Sequence, residues 1–185
     1  DVIDIGIIKD HASLVRQALN DATRQADVVI TTAGASAGDE DYVSAALKET
    51  GQMSIWRLAV KPGRPLALGM WNGVPVFGLP GNPVAAFVCT LIFARPSLFQ
   101  LAGAGFEKPR FVKLPAGFSK IKKSGRREYL RARVRQDTIE VFVSEGSGRI
   151  SGLTWAEGLV ELPDEAMEIK PGDLVNYISY SSFGI

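Results

Sequence analysis

One cysteine, Cys89, and one histidine, His11, leave this 185-residue chain without a disulfide pair and without a thiol-and-imidazole nucleophile. A lone thiol points to a reducing compartment, and the cytoplasm is the expected location. Neither charge is in excess: 21 basic residues face 20 acidic ones, so no overall field favours nucleic acid as a partner. No stretch reads as the 18 or so apolar residues of a membrane span, and the first residues show neither a basic start nor a signal-type apolar core. No membrane or nucleic-acid partner is therefore expected. Internal repeats and low-complexity tracts are missing too. There is no initial Met, and the chain opens in the alternating stretch Val2 to Ile8. It reads as a strand, so the chain is expected to be a fragment or a processed product whose preceding strand is missing.

What is present is an ordinary 46% of apolar residues, enough for a sizeable core. Asp10 is placed to cap a helix whose apolar positions Leu14, Val15, Ala18, Leu19 and Ala22 recur at helical spacing, ending near Gln25. A strand follows from Asp27 to Thr32, a helix from about Asp41 to Thr50, and a strand from Met53 to Val60. Leu66 to Met70 and Val74 to Gly78 flank Asn72-Gly73, the strongest short-range hairpin signal. From Val84 the apolar run through Phe93, Leu98 and Leu101 is long enough for a buried helix, which Pro96 should bend or interrupt. Alternating strands and helices imply an α/β layer structure. Near residue 106 the pattern changes to short alternating segments, Phe111 to Pro115, Glu128 to Arg135, Ile139 to Ser144, Leu159 to Leu162 and Leu174 to Tyr180. These predict a small all-β barrel. The expected division is 1–105 and 106–185.

Two places stand out chemically. In Thr31-Thr32-Ala33-Gly34-Ala35-Ser36-Ala37-Gly38-Asp39-Glu40-Asp41 an apolar strand stops at small, hydroxyl and then acidic residues before a helix begins. Gly34 and Gly38 permit backbone angles other residues avoid, and free amides at a helix start favour anions. Capping accounts for one of the three acids. Three beside a phosphate-type loop suit Mg²⁺, a hard cation that takes one or two carboxylates together with phosphate. The second place pairs Lys61-Pro62-Gly63-Arg64-Pro65 with Gly78-Leu79-Pro80-Gly81-Asn82-Pro83. The first turn puts two cations at the end of a strand, while Pro80 and Pro83 fix the shape of the loop that presents Gly81 and Asn82. Charge is also uneven: from Lys108 to Arg135 eleven basic residues face only Glu128. That stretch is either a solvated sheet face or a wall turned toward an anionic ligand.

Together these blocks resemble the molybdopterin molybdenumtransferases, the molybdenum insertases whose eukaryotic counterpart is the E domain of gephyrin. There the matching stretches read roughly TSGGVSVGDYD, KPGKP and GLPGNPVS. Gly146-Ser147-Gly148 and Glu157-Gly158-Leu159 look like that family's C-terminal domain, so four blocks match in order and cover nearly the whole chain. The resemblance implies a three-layer molybdopterin-binding-like α/β domain, truncated at its N-terminus, followed by a small all-β barrel. It also implies insertion of molybdate into adenylylated molybdopterin with release of AMP, both being substrates, in a protein that is a homodimer at full length.

Carried onto these residues, Asp41 and Asp39 become catalytic, Asp41 being also the Mg²⁺ ligand. Thr32, Gly34, Ser36, Gly38, Pro80, Gly81, Asn82 and Pro83 line the pterin site. Lys61, Arg64, Arg126 and Ser147, with Arg127 beside them, lie near the molybdate. Ala33 stands where the family commonly has Gly, Ala85 where it often has Ser, and Arg64 where Lys is common. Two alternatives remain: a molybdopterin adenylyltransferase of the same pathway, whose relatives lack the β domain and the Lys-Pro-Gly turn, or a non-catalytic scaffold module.

Overall fold

The computed structural model describes residues 1–33, 42–49, 53–57, 59–63, 65–143 and 150–185, with the backbone alone at 53–57 and 65. The chain forms two compact units, Asp1–Leu58 with Arg64–Asn82, and Ala59–Gly63 with Pro83–Ile185.

The first unit is built on a four-stranded sheet, β1 (Val29–Thr32), β2 (Met53–Arg57), β4 (Pro65–Trp71) and β5 (Val74–Leu79), in the order β1-β5-β4-β2. β1 and β5 are parallel, with Thr31 opposite Gly78 and Thr32 opposite Leu79, and β4 runs antiparallel to both neighbours. The β4–β5 turn has Asn72 at φ 50° and Gly73 at φ 80°, the two positive angles that a two-residue hairpin of this hand requires. Helix α1 (Ala12–Ala22) buries Val15, Leu19 and Ala22, one stripe at helical spacing. Helix α2 (Tyr42–Glu49) buries Leu47 completely, at a point where Gly69 leaves room: a Cβ there would lie 3.1 Å from the Leu47 methyls. The indole of Trp71 donates to Asn20 Oδ1 at 2.9 Å and so ties the hairpin to α1.

Two expectations fail here. Val2 to Ile8 is no strand but irregular chain, with Val2 and Ile7 fully in solvent. Alternating apolar residues become a strand only when a neighbour satisfies their backbone groups, and residues 1–9 enter no ladder. Asp10 does not cap α1 either. The helix begins one residue later, with His11 at the cap position making no capping bond while its Nδ1 lies 2.9 Å from Ser13 Oγ.

The second unit receives one piece from the middle of the sequence. The expected strand Met53 to Val60 splits, and its end becomes β3 (Val60–Lys61), which pairs in parallel with β8 (Arg127–Arg135). Around β8 the strands β6 (Val112–Pro115), β9 (Thr138–Val141), β10 (Gly158–Leu162) and β12 (Leu174–Ser179) run in the order β3-β8-β10-β12-β6, with β9 also on β8. A bridge between Ala116 and Ile139 joins the end of β6 to β9 and closes the ring. Its core holds Ala132, Ile139, Val160, Leu162, Ile169 and Tyr177. Two strands were not anticipated, β7 (Lys120–Lys122) and β11 (Met167–Ile169), which pair with each other. Both are short, and Lys-Ile-Lys is polar where a strand is usually apolar.

Pro96 bends nothing visible as a break. Helix α3 (Pro83–Cys89) runs through a π turn (Thr90–Ala94) into α4 (Arg95–Leu101). The wide turn, with Arg95 N–H donating to Thr90 O, absorbs the donor that Pro96 lacks. The 19-residue helix Pro83–Leu101 is also long and apolar enough to cross a membrane by length and composition, contrary to the expectation that no stretch is. Val84, Ala85, Val88, Cys89, Leu91, Ile92 and Ala94 along it are buried, and the Arg95 guanidinium lies over the Phe99 ring at 4.4 Å. Burial pushes the Cys89 thiol up to about 11.

Candidate functional site

In the first unit the two parallel strands end side by side. Ala33 N–H donates to Leu79 O at 3.1 Å, and Gly81 approaches Ala33 so closely that a Cβ on Gly81 would lie 3.2 Å from the Ala33 Cβ. Thr32, Pro80, Gly81 and Asn82 therefore gather beyond the carboxyl ends of β1 and β5, where open α/β sheets bind ligands. Ala33 has φ 69°, an angle that favours glycine, and it is the position where the family commonly has Gly. Pro83 opens α3 in the second unit, where a helix start does not need its missing donor. Gly34, Ser36, Gly38, Asp39, Asp41, Arg64 and Ser147 lie outside the described residues. Among the described residues no three His, Cys, Asp or Glu side chains gather to hold a metal.

The second unit carries a cavity of about 500 Å³, bounded by β3, β8, β9, the start of α3 and α5 (Ser151–Trp155). Lys61, Lys120 and Arg131 line it with the rings of Phe118, Phe142 and Trp155. Lys61 arrives there because β3 pairs with β8 and sets Lys61 opposite Glu128. Glu128 Oε1 lies 3.9 Å from Lys61 Nζ, and Oε2 lies 3.4 Å from Lys120 Nζ. Arg131 is buried and stacks on Phe142 with the guanidinium carbon 4.7 Å from the ring centre, and burial holds its pKa below the usual arginine value. A Cβ on Gly152 would lie 2.3 Å from Arg131 Nη1, so this approach depends on glycine. Glu140, the acid in the lining, is bonded to Arg133 at 2.9 Å. The wall is cationic and aromatic, and it suits an anion with a flat or apolar neighbour.

Of the expected cations, Lys61 lines this cavity. Arg126 does not: it is exposed in the turn before β8. Arg127 faces a different network, Glu161 at 3.1 Å and Asp164 at 3.6 Å. Tyr129 donates to the same Glu161 oxygen at 3.2 Å, and burial first, then the nearby Glu161 charge, pushes its phenol well above the usual range. Lys120, Glu128 and Arg131 were missed. Local sequence offered little signal: Lys120 and Lys122 share one side of β7 with Ile121 exposed between them, and the consecutive residues Tyr129, Leu130 and Arg131 of β8 all line the cavity.

Comparison with known proteins agrees with this architecture. Residues 1–100 match the family model described as a probable molybdopterin binding domain, and residues 113–180 match that of the MoeA C-terminal region, domain IV. The molybdopterin molybdenumtransferase of Haemophilus influenzae is 33% identical over 181 residues, 95% of this chain and 45% of that protein. The molybdenum cofactor synthesis protein cinnamon of Drosophila melanogaster is 31% identical over 194 residues, 96% of this chain and 32% of that protein. The crystal structure of a molybdopterin biosynthesis MoeA protein from Pyrococcus horikoshii superimposes with a TM-score of 0.78 at 24% identity, over 95% of this chain and 42% of that one, a likeness of fold. The chain thus spans under half the length of these relatives. It belongs to the molybdopterin-binding domain family, with a MoeA C-terminal region following that domain.

Proposed function

We propose that the chain is the C-terminal, substrate-holding part of a molybdopterin molybdenumtransferase, and that the whole protein inserts molybdate into adenylylated molybdopterin with release of AMP. The observation that carries this reading is the cationic cavity of the second unit, where Lys61 and Lys120 share Glu128 beside the buried Arg131. A doubly charged tetrahedral oxyanion matches such a wall, since charge-assisted hydrogen bonds are the strong ones. The matches to residues 1–100 and 113–180 support domains of 1–105 and 106–185.

In this reading Lys61, Arg64 and Ser147 hold molybdate, while Arg126, exposed in the turn before β8, is left without that role. Thr32, Gly34, Ser36, Gly38 and the loop Pro80 to Pro83 hold the pterin and its phosphates. Asp41, with Asp39, organises the adenylate for cleavage of its phosphoanhydride bond, water supplying the oxygen and AMP departing. A protein nucleophile is not required, and the contribution is electrostatic. The carboxylates of the acidic triplet are a hard-oxygen donor set of the kind Mg²⁺ takes, and the ion would neutralise phosphate charge there. We place the protein in the cytoplasm, as a homodimer at full length.

The test is AMP release from adenylylated molybdopterin and molybdate by a protein in which the sequence upstream of residue 1 is restored. Turnover is expected, with loss in Asp41→Asn and none from residues 1 to 185 alone. A restored protein that binds neither substrate overturns the reading in favour of a scaffold. Unchanged AMP release in Asp41→Asn returns that residue to helix capping.

A further inference from the structure

Strand β8 carries two arginines at alternate positions, Arg131 and Arg133, and each lies against an aromatic ring. Alternate strand residues share a face, so the two guanidiniums leave β8 on the same side. The Phe142 amide donates to the Arg131 carbonyl at 2.9 Å, which carries the β8–β9 pairing one residue past β9 and holds Phe142 beside Arg131. Trp155, the last residue of α5, packs on Phe142 with ring centres 5.4 Å apart and planes tilted by 58°. The Arg133 guanidinium lies over the indole at 4.3 Å. The four side chains interleave in the order Arg131, Phe142, Trp155, Arg133, two rings between two cations.

Each part of this stack is braced. Gly152 lets α5 come down on it, since a Cβ there would lie 2.8 Å from Phe142 Cδ1. Glu140 holds Arg133 at 2.9 Å. Ring–ring and cation–ring attractions both depend on orientation, so the planes are set before a ligand arrives and less ordering remains to be done on binding. Phe142 and Trp155 are only half-buried, and both line the cavity of about 500 Å³. Small-molecule sites have about 300–1,000 Å³ and walls that are mostly apolar and aromatic, with a few polar groups among them. Phe118, Leu130 and Val141 complete such a wall here. A flat ring meets fixed aromatic side chains over a wide area, as nucleic-acid bases do when they stack on them, whereas a branched aliphatic group touches at few atoms.

We propose that Phe142 and Trp155 form a stacking platform for a flat heteroaromatic ring of the purine or pteridine class. The inference rests on the proposed function, whose substrate carries a ring of each class, adenine and pterin. It adds to the oxyanion reading of the cavity a place for the uncharged, planar part of the same molecule.

The test is titration of the isotopically labelled 185-residue chain, followed through the N–H resonances of its three tryptophans. Trp155→Phe, which lacks one of them, assigns the Trp155 signal. AMP and a carboxypterin are the ring probes, ribose phosphate is the probe without a base, and calorimetry gives each affinity. A saturable shift of the Trp155 signal is expected with a ring probe and none with ribose phosphate, and the tighter of AMP and carboxypterin identifies which end of the substrate the platform takes. Trp155→Leu, with its melting temperature checked, should weaken that probe by roughly fivefold to a hundredfold, the scale of base stacking on an aromatic side chain. Trp155→Phe keeps a flat ring and should recover most of the affinity. Ribose phosphate binding as tightly as AMP, or parent-like ring binding by Trp155→Leu, overturns the inference. Loss in Trp155→Leu without recovery in Trp155→Phe likewise overturns it, in favour of a role that stacking does not supply. A chain that binds molybdate but neither ring overturns the inference alone and leaves the proposed oxyanion site intact. One that binds neither ring nor molybdate overturns that site as well.

Discussion

Ala33 is pinned to Leu79: its amide donates to the Leu79 carbonyl at 3.1 Å, while its own backbone sits at φ 69°. The bond continues the β1–β5 pairing one step past the strands. For a residue with a Cβ the left-handed angle costs about 1–2 kcal/mol. Glycine loses about 0.5–1 kcal/mol of chain entropy relative to alanine on folding. The difference predicts that Ala33→Gly stabilises the protein by about 0.5–1 kcal/mol, read as a higher midpoint in urea. A lower midpoint would mean that the Ala33 methyl, close against Gly81, contributes more by packing than its backbone loses by strain.

Glu161 gathers three donors, Arg127 at 3.1 Å, the Tyr129 hydroxyl at 3.2 Å and Asn176 at 3.5 Å. Removing the acceptor orphans a buried phenol, whereas removing the phenol leaves Glu161 with two donors. Glu161→Ala is therefore expected to cost about 1–3 kcal/mol and Tyr129→Phe about 0.5–1.5 kcal/mol. Equal losses in chemical denaturation would show that the Tyr129 bond carries the network.

Much of this fold was legible in local signals. Asn72-Gly73 fixed the hairpin because few residues tolerate two positive φ angles in succession, and the stripe of Val15, Leu19 and Ala22 gave α1. The apolar run from Val84 through Leu101 gave the long helix, though not the π turn that accommodates Pro96 within it. What was hidden depends on partners distant in sequence. Val60–Lys61 looks like the tail of the preceding strand, and only its pairing with β8 carries Lys61 to Glu128. Lys120 was read as one charge in a basic stretch because nothing local says that Ile121 faces out. Arg126, singled out by its motif, is exposed in the turn before β8, while Arg131, within that strand, lines the cavity.

Two glycines in the second unit should differ sharply in their tolerance of alanine. A Cβ on Gly158 would lie 2.4 Å from the Ile178 carbonyl, a backbone atom held in the β10–β12 ladder. At Gly152 the nearest atom is the end of the Arg131 side chain. Gly158→Ala is expected to reach or exceed the upper end of the overpacking range, about 3 kcal/mol, and Gly152→Ala to cost about 1 kcal/mol. Gly152→Ala should nevertheless weaken molybdate binding, because Arg131 must leave its place over Phe142. Wild-type affinity in a folded Gly152→Ala protein would show that the placement of Arg131 is immaterial to the site.

Cys89 makes the protein's stability sensitive to alkali. Burial raises its thiol from 9.0 to about 11, so between those values the unfolded chain releases a proton that the folded chain retains. Fewer protons bound in the unfolded state mean that stability falls as pH rises. The contribution is fully present below pH 9 and is lost as pH climbs through 11, on the order of 3 kcal/mol at 1.36 kcal/mol per pKa unit. Tyr180, which burial raises from 10.0 to about 12, adds a second loss in the next window. Melting temperatures measured from pH 8 to 11 should decline, and Cys89→Ala should flatten that decline while leaving the Tyr180 phase above it. Parallel curves for the parent and Cys89→Ala over this range would place the alkaline loss on groups other than the thiol.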